Sequence, residues 1–278
     1  MGDLRFSVLQ KNELPAALHL FEEAFGAPKE GRLSLAENSL SRVLGLLEGE
    51  RLLSMLTVFP VTLRLQKDRL PGAYLYAVAT DPKREGEGLC TRLLEETHTL
   101  LKKEGCAAAV LQPSSRKNRL FYTKRGYSPC SSLAFGNYTR KEGESLEVLL
   151  CTAEEYKALR ERFLPEDALL WEEDGLLFQE RWLRLYGGGF FKLGGEDPLG
   201  CAALSSEGGL RIRELLLSDL SLRDAALNGL LRAAGEKTCS LSLAPGLLPK
   251  EKETPFAMWY PLTAREAPSH FYTNLLMD

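Results

Sequence analysis

The stretch GAYLYAVATDPKREGEGLCTRLLEETHTLLKKEGCAAAVLQP, residues 72–113, leaves few folds open. It starts with a near-continuous apolar strand and ends with another, CAAAVLQP. Strands apolar along most of their length are buried on both faces. Between them lie the loop ATDPKREGEG, a helix predicted from about Gly88 to Lys103, and Gly105 as its stop. The chain is therefore expected to be α/β. Glycines where a loop enters a helix leave the backbone bare. The helix's first turn offers unpaired N–H groups and the positive end of its dipole. Together these suit a pyrophosphate. An ordinary tight turn would carry the same pattern, so on its own the segment leaves both readings open.

The rest of the chain alternates in the same way. LRFSVLQ reads as a strand and NELPAALHLFEEAFG as a helix with Leu14, Leu18, Phe21 and Phe25 on one face. SRVLGLLEGERLLSMLTVFPVTLRL reads as a hairpin turning at Gly49. After CAAAVLQP come a short helix, RKNRLFYTKRG, and one strand, YSPCSSLAFGNYT. The polar stretch Thr139–Ser145 is the best linker candidate. Beyond it the pattern restarts, with strands LEVLLCT, FFKLG, LGCAALS, LRIRELLLS and TCSLSLAP around three helices. PFAMWYPL and HFYTNLLM are the last apolar segments. The halves rhyme: a strand ending at Ser218 feeds a helix, then Gly235 and CSLSLAP, as the strand ending at Thr80 does. A duplicated α/β unit explains this; chance likeness of two such units is the alternative. The second junction, SDLSLRD, holds no glycine.

Composition removes several classes. A length of 278 residues fits two domains, and 44% apolar with 26% charged residues is ordinary for a globular chain. A net charge of −3 with mixed signs argues against a nucleic-acid partner. No apolar run approaches the ~18 residues of a membrane helix, and MGDLRFSVLQ has no signal-peptide character. The six cysteines stand singly, without a CxxC pair, and read as buried free thiols of a reducing cytoplasm. A disulfide framework or zinc site is the weaker reading. The three histidines, His19, His98 and His270, are isolated, so no metal is expected.

ATDPKREGEGLCTRLL resembles the acetyl-CoA-binding signature of the GCN5-related N-acetyltransferases, a strand ending near a proline followed by an Arg/Gln-x-x-Gly-x-Gly/Ala loop that opens a helix. LFEEAFG is similar to that family's first helix, and FYTKRGY, Phe121 to Tyr127, to its late motif. The likeness covers about residues 4–140. Within the family, the hairpin, the strand end and the FY…GY spacing look most like the enhanced-intracellular-survival branch, whose members modify aminoglycosides and carry further domains. The resemblance implies the acyl-CoA N-acyltransferase fold, a mixed central sheet flanked by helices, in two tandem units. Residues 1–141 would bind acetyl-CoA as co-substrate; residues 146–278 would be a degenerate copy.

On this resemblance the cofactor-binding residues are Val78, Ala79, Lys83, Arg84, Glu85, Gly86, Glu87, Gly88, Leu89 and Cys90. A backbone N–H near Val78 or Ala79 would hold the thioester carbonyl. The departures are Glu85 where the family has Arg or Gln, Glu87 where a basic or neutral residue is common, and Cys90 in place of a small residue. A carboxylate ~4 Å from a phosphate would cost ~1–4 kcal/mol. Turning the glutamates to solvent, or charge from Lys83 and Arg84, would relieve it. Tyr122 stands where the family places its general acid, and a phenol suits a thiolate of comparable basicity. A packing tyrosine is the alternative. For the base, Asp81, a water relay, and Asp278 or its terminal carboxylate are all open, since the branch brings its C-terminus into the site.

The implied function is acetyl transfer to a primary amine of a small molecule or peptide by direct attack, with polyamine-like or aminoglycoside-like acceptors that need an acidic cleft. A longer acyl-CoA is a variant of the same reading. The alternative is a catalytically silent acyl-CoA binder or scaffold. The second half would extend the sheet, cover the cleft, or join copies into a homo-oligomer. In WEEDGLLFQERWLRLY, the residues Trp171, Leu177, Phe178, Trp182 and Leu185 form a stripe expected to face a core, with partner binding as the other reading. GGGFF, Gly187–Phe191, is expected to be a flexible connector.

Overall fold

A computed structural model describes residues 3–31, 41–206, 208–248 and 253–276. The first half runs β1 (Leu4–Val8), α1 (Leu14–Phe25), α2 (Pro28–Gly31), β2 (Arg42–Glu48), β3 (Arg51–Leu65), β4 (Asp68–Thr80), α3 (Leu89–Lys103), β5 (Ala108–Leu111), α4 (Arg116–Thr123), β6 (Ser128–Pro129) and β7 (Ser132–Thr139). The second runs β8 (Val148–Cys151), α5 (Ala153–Phe163), β9 (Ala168–Leu170), α6 (Glu173–Leu185), β10 (Gly189–Leu193), β11 (Gly200–Ser205), β12 (Arg211–Leu217), α7 (Arg223–Ala233), β13 (Thr238–Leu243), β14 (Glu253–Pro255) and β15 (Met258–Pro261).

Local chemistry sets these elements. Gly49, at φ 63°, turns β2 into β3. Gly26, at φ 64°, ends α1 in a left-handed cap. Thr152 and Glu155 cap α5 reciprocally. Pro60 falls in the gap on the edge of β3 between its pairing with β2, which ends at Val58, and with β9, which starts at Thr62. A residue without an N–H fits where no ladder continues.

The strands form two mixed sheets, in the orders β1-β2-β3-β4-β5-β15-β6, with β9 also on β3, and β14-β7-β13-β12-β11-β10-β8. Each sheet has one parallel pair, β4·β5 and β12·β13, and those pairs flank α3 and α7. The sheets trade strands. β7 pairs with β13 in the second, and β15 returns from the far end of the chain to pair with β5 and β6 in the first. A shared core fills the space between them, built around Phe59, Tyr74, Tyr76, Trp171 and Phe178.

Three expectations need correction. YSPCSSLAFGNYT is not one strand: it breaks at Cys130–Ser131, and its parts join different sheets. In the stripe around α6, Trp171, Phe178 and Trp182 are buried, but Leu177 and Leu185 are each 40% exposed. They sit off the face that Trp171, Phe178 and Trp182 share at 7- and 4-residue spacing. Gly187–Phe191 is not a loose connector. A Cβ on Gly188 would sit 1.8 Å from the Leu204 carbonyl oxygen, so the backbone itself packs there. Within the last apolar segment, residues 270–276 form one isolated bridge, Ala168 to Tyr272.

Candidate active site

The site opens where β4 leaves its neighbours. Parallel pairing with β5 covers Ala73 to Leu75 and then stops. Pairing with β3 skips Ala77 and Val78 and resumes at Ala79. Ala77 takes φ 52°, a costly angle for a residue with a Cβ. This bulge leaves Ala77 and Val78 without a register partner on either side, and β4 and β5 splay apart beyond it. The strand end is clamped from the β3 side. Ser54 Oγ donates to the Ala79 carbonyl at 2.8 Å, and the Asp81 N–H to the Leu53 carbonyl at 2.8 Å.

The loop follows as a short 3₁₀ turn, Pro82–Arg84, capped by Asp81, whose side chain accepts from the Lys83 N–H at 2.9 Å. The second Asp81 oxygen accepts from Arg51 at 2.6 Å. The Lys83 amide, then Arg51, hold this carboxyl below the usual range. Asp81 is thus a turn residue. Gly86 and Gly88 take φ 84° and 80°, with open space where a Cβ would stand. Backbone angle, not crowding, requires glycine there. Gly88 is the N-cap of α3; no side chain caps this end, and its first turn holds no acidic residue.

A groove of about 730 Å³ runs along this backbone. Val78, Ala79, Arg84, Glu85, Gly86, Gly88, Leu89 and Cys90 line it. Lys83 instead lines a neighbouring hollow with His19 and Glu50. Glu87 is held by Arg84 at 2.7 Å, and Arg84 also reaches Glu48 at 3.2 Å. Arg84 therefore neutralises acids of its own surroundings. Two bases on the opposite wall, Lys117 and Arg125, escaped the sequence reading. They stand eight residues apart around α4, with Phe121 midway, a helical spacing that was there to be seen. Arg125 lies 3.4 Å over the Phe121 ring and donates to Thr91 Oγ1 at 2.9 and 2.5 Å.

A second cavity, about 320 Å³, meets this groove at Val78, Tyr122, Phe25, Ser114 and Asn118. Tyr122 is 8% exposed, and its hydroxyl makes no hydrogen bond among the described residues. Burial, with Cys90 beside it, pushes its phenol well above the usual value; Arg125 opposes this. Burial likewise pushes the Cys90 thiol up to about 11. Behind Tyr122 the rings are fixed. Tyr127 packs edge-on at 5.4 Å, its hydroxyl shares a 2.7 Å hydrogen bond with His98 Nε2, and His98 stacks on Tyr260 of β15 at 3.7 Å. The far end of the chain thus buttresses the site. Asp278 lies outside the described residues. Up to Leu276 the tail lies against Gln179, Trp182 and Arg213, none of which lines the groove.

A splayed strand pair, a glycine-opened helix and a buried phenol where two cavities meet define an acyl-transfer domain. Residues 5–130, a little under half of the chain, match the acetyltransferase (GNAT) domain. No curated protein matches the sequence. Among solved structures, a GCN5-related N-acetyltransferase from Anabaena variabilis is similar over 94% of this chain and 73% of its own, at TM-score 0.75 and 16% identity. Eis1 from Mycobacterium abscessus is similar over 94% and 74%, at TM-score 0.71 and 16% identity. A tandem GNAT protein from the clavulanic acid biosynthesis pathway covers 95% and 100%, at TM-score 0.57 and 13% identity. The fold is that of tandem acyl-CoA N-acyltransferases. Among the described residues no group of three or more His, Cys, Asp or Glu is arranged to hold a metal, and no helix is long and apolar enough to cross a membrane.

Proposed function

We propose that this chain transfers the acetyl group of acetyl-CoA to a primary amine of a small molecule by direct attack in a ternary complex. The observation that carries this is the meeting of the groove and the second cavity at Val78 and Tyr122. Residues 1–141 form the acetyl-CoA-binding unit and 146–278 a degenerate copy, the two having exchanged β7 and β15. The six unpaired thiols support a reducing compartment such as the cytoplasm.

When bound, acetyl-CoA supplies a thioester carbonyl as the electrophile. The bare amides from Gly86 into the first turn of α3 take its pyrophosphate, and the open space at both glycines supports that fit. Lys117 and Arg125 balance its charge. The Val78 N–H, without a ladder partner, is the donor assigned to the carbonyl oxygen as negative charge develops there. The neutral amine's nitrogen forms the new C–N bond as the C–S bond breaks, and the proton it sheds leaves through a water relay to solvent, from which Tyr122 is later reprotonated. Tyr122 then gives its proton to the departing sulfur. Its raised pKa keeps it protonated but makes it a weaker acid; the same burial raises the basicity of the thiolate it faces.

Tyr122→Phe tests this. Turnover should fall by about 10²–10⁴-fold, while acetyl-CoA affinity by calorimetry stays unchanged. A silent acyl-CoA binder would have no turnover to lose in the parent protein, which would reject the enzymatic reading.

A further inference from the structure

The reaction assigned to this chain consumes a primary amine, and the groove that takes the cofactor carries one of its own. We propose that the protein acetylates itself at Nζ of Lys117, and that this modification weakens its hold on acetyl-CoA. This rests on the acetyl-transfer reading.

Three observations lead here. First, Lys117 is the one lysine among the described residues lining the groove. The two arginines there are tied, Arg84 to Glu87 and Glu48, and Arg125 to Thr91 and the Phe121 carbonyl. Lys117 is exposed and makes no hydrogen bond or ion pair among the described residues. Its flexible four-carbon stem is free to carry the amine along the groove. Second, it stands beside the place of reaction. Asn118 and Tyr122, one helical turn apart, border both cavities, and Lys117 and Phe121 form the adjacent row that borders the groove alone. A helical side chain leans over the turn before it, so Tyr122 leans toward Asn118, the chain neighbour of Lys117. Third, the charge is placed for an anion. Arg116 and Lys117 open α4, whose first turn holds no acidic residue, and cations are disfavoured at that end of the helix dipole. A cofactor phosphate relieves this repulsion. Acetylation removes the charge, and with it one attraction for the phosphates.

The step balances without a further reagent. Lys117 sheds a proton to solvent. Its neutral nitrogen forms a C–N bond to the acetyl carbonyl carbon as the C–S bond breaks, and the departing sulfur takes the Tyr122 proton. The products are acetyl-lysine and CoA, and Tyr122 is reprotonated from water. Bound acetyl-CoA is held beside the amine, so the step is first order in the complex and saturates with cofactor.

The test uses the full chain with deuterated acetyl-CoA and no acceptor, read by peptide mass spectrometry. Lys117 should take the label about tenfold faster, or more, than Lys83 and Lys124, which do not line the groove. Its rate constant should level off with acetyl-CoA and stay unchanged when the protein is diluted. Tyr122→Phe should slow labelling of Lys117 by about 10²-fold or more and leave Lys83 and Lys124 as they were. Lys117→Gln, which mimics the acetylated side chain, should weaken acetyl-CoA binding by calorimetry about fivefold, with Lys124→Gln unchanged. Equal labelling of the three lysines, or a rate proportional to protein concentration, would overturn the proposal while leaving acetyl transfer to other amines standing. Unchanged affinity in Lys117→Gln would overturn its second half. A protein that binds no acetyl-CoA would overturn this proposal and the reading beneath it together.

Discussion

The chain builds one strand–helix–strand crossover twice, and the two copies part company over a few residues. Both begin the same way. Asp81 caps a 3₁₀ turn by accepting from the Lys83 N–H at 2.9 Å, and Asp219 does so from the Ser221 N–H at 2.7 Å. In the first copy the residues Glu85–Gly88 then intervene, two of them glycines in the left-handed region, before α3 starts with bare amides. In the second, Leu222 and Arg223 carry the turn straight into α7, with Arg223 at φ −51° and ψ −52°. Asp224 stands in the first turn of α7 and is itself paired with Lys141 at 2.7 Å. The positive end of that helix dipole already has its carboxylate. One crossover is left open for an anion, and the other is closed by its own side chain.

The second crossover does structural work instead. Its strand β12 carries Glu214, fully buried, which accepts from Arg160 at 3.0 Å, Tyr156 at 2.7 Å and Tyr272 at 3.0 Å. Arg160 also donates to the carbonyls of Leu169 and Asn274. This network ties the second sheet to β9, which pairs with the first sheet, and to the tail. Glu214→Ala should therefore cost about 3–5 kcal/mol of stability, because it strands a buried guanidinium. Denaturant unfolding measures it. Acetyl-CoA affinity should stay unchanged in the folded fraction; a parallel loss of cofactor binding would break the division of labour between the crossovers.

A smaller effect separates them by pH. His98 on α3 is buried against Tyr127 and Tyr260, and burial lowers its pKa from 6.5 to about 4. The unfolded chain takes up this proton below 6.5 and the folded chain resists until about 4. Stability from this group is complete above 6.5 and is lost as pH falls through that window, by on the order of 3 kcal/mol. A buried polar residue on α7, Asn228, does not titrate; it accepts from the Tyr138 hydroxyl at 3.1 Å. The H98Q variant, compared with the parent by urea unfolding at pH 7 and 4.5, should lose less stability on acidification. Equal losses would contradict the burial argument.

Periodicity exposed nearly every strand and helix, since each element buries one face or both. It said little about pairing. YSPC and SLAFGNYT, or PFAMWYPL, are apolar strands whichever sheet receives them, so the exchange of β7 and β15 left no local trace. A three-residue strand such as β9 is too short to show a period. In the site, the glycine loop was legible because positive φ needs glycine, whereas Lys117 on α4 and Arg125 just past its end carry no mark in the sequence that sets them apart from other charges. Tyr74 and Tyr76 read as strand core, and they are; the cavity they wall arises only because the bulge at Ala77 parts β4 from β5.

The most direct test of this account is titration calorimetry of the intact protein with acetyl-CoA, beside Gly88→Val. The account predicts micromolar binding to the parent protein despite Glu85 and Glu87. It predicts a loss of about tenfold or more in the variant, where a β-branched residue cannot hold φ 80° without strain. Absence of binding to the parent at millimolar acetyl-CoA would contradict it, and the two crossovers would then differ in shape but not in function.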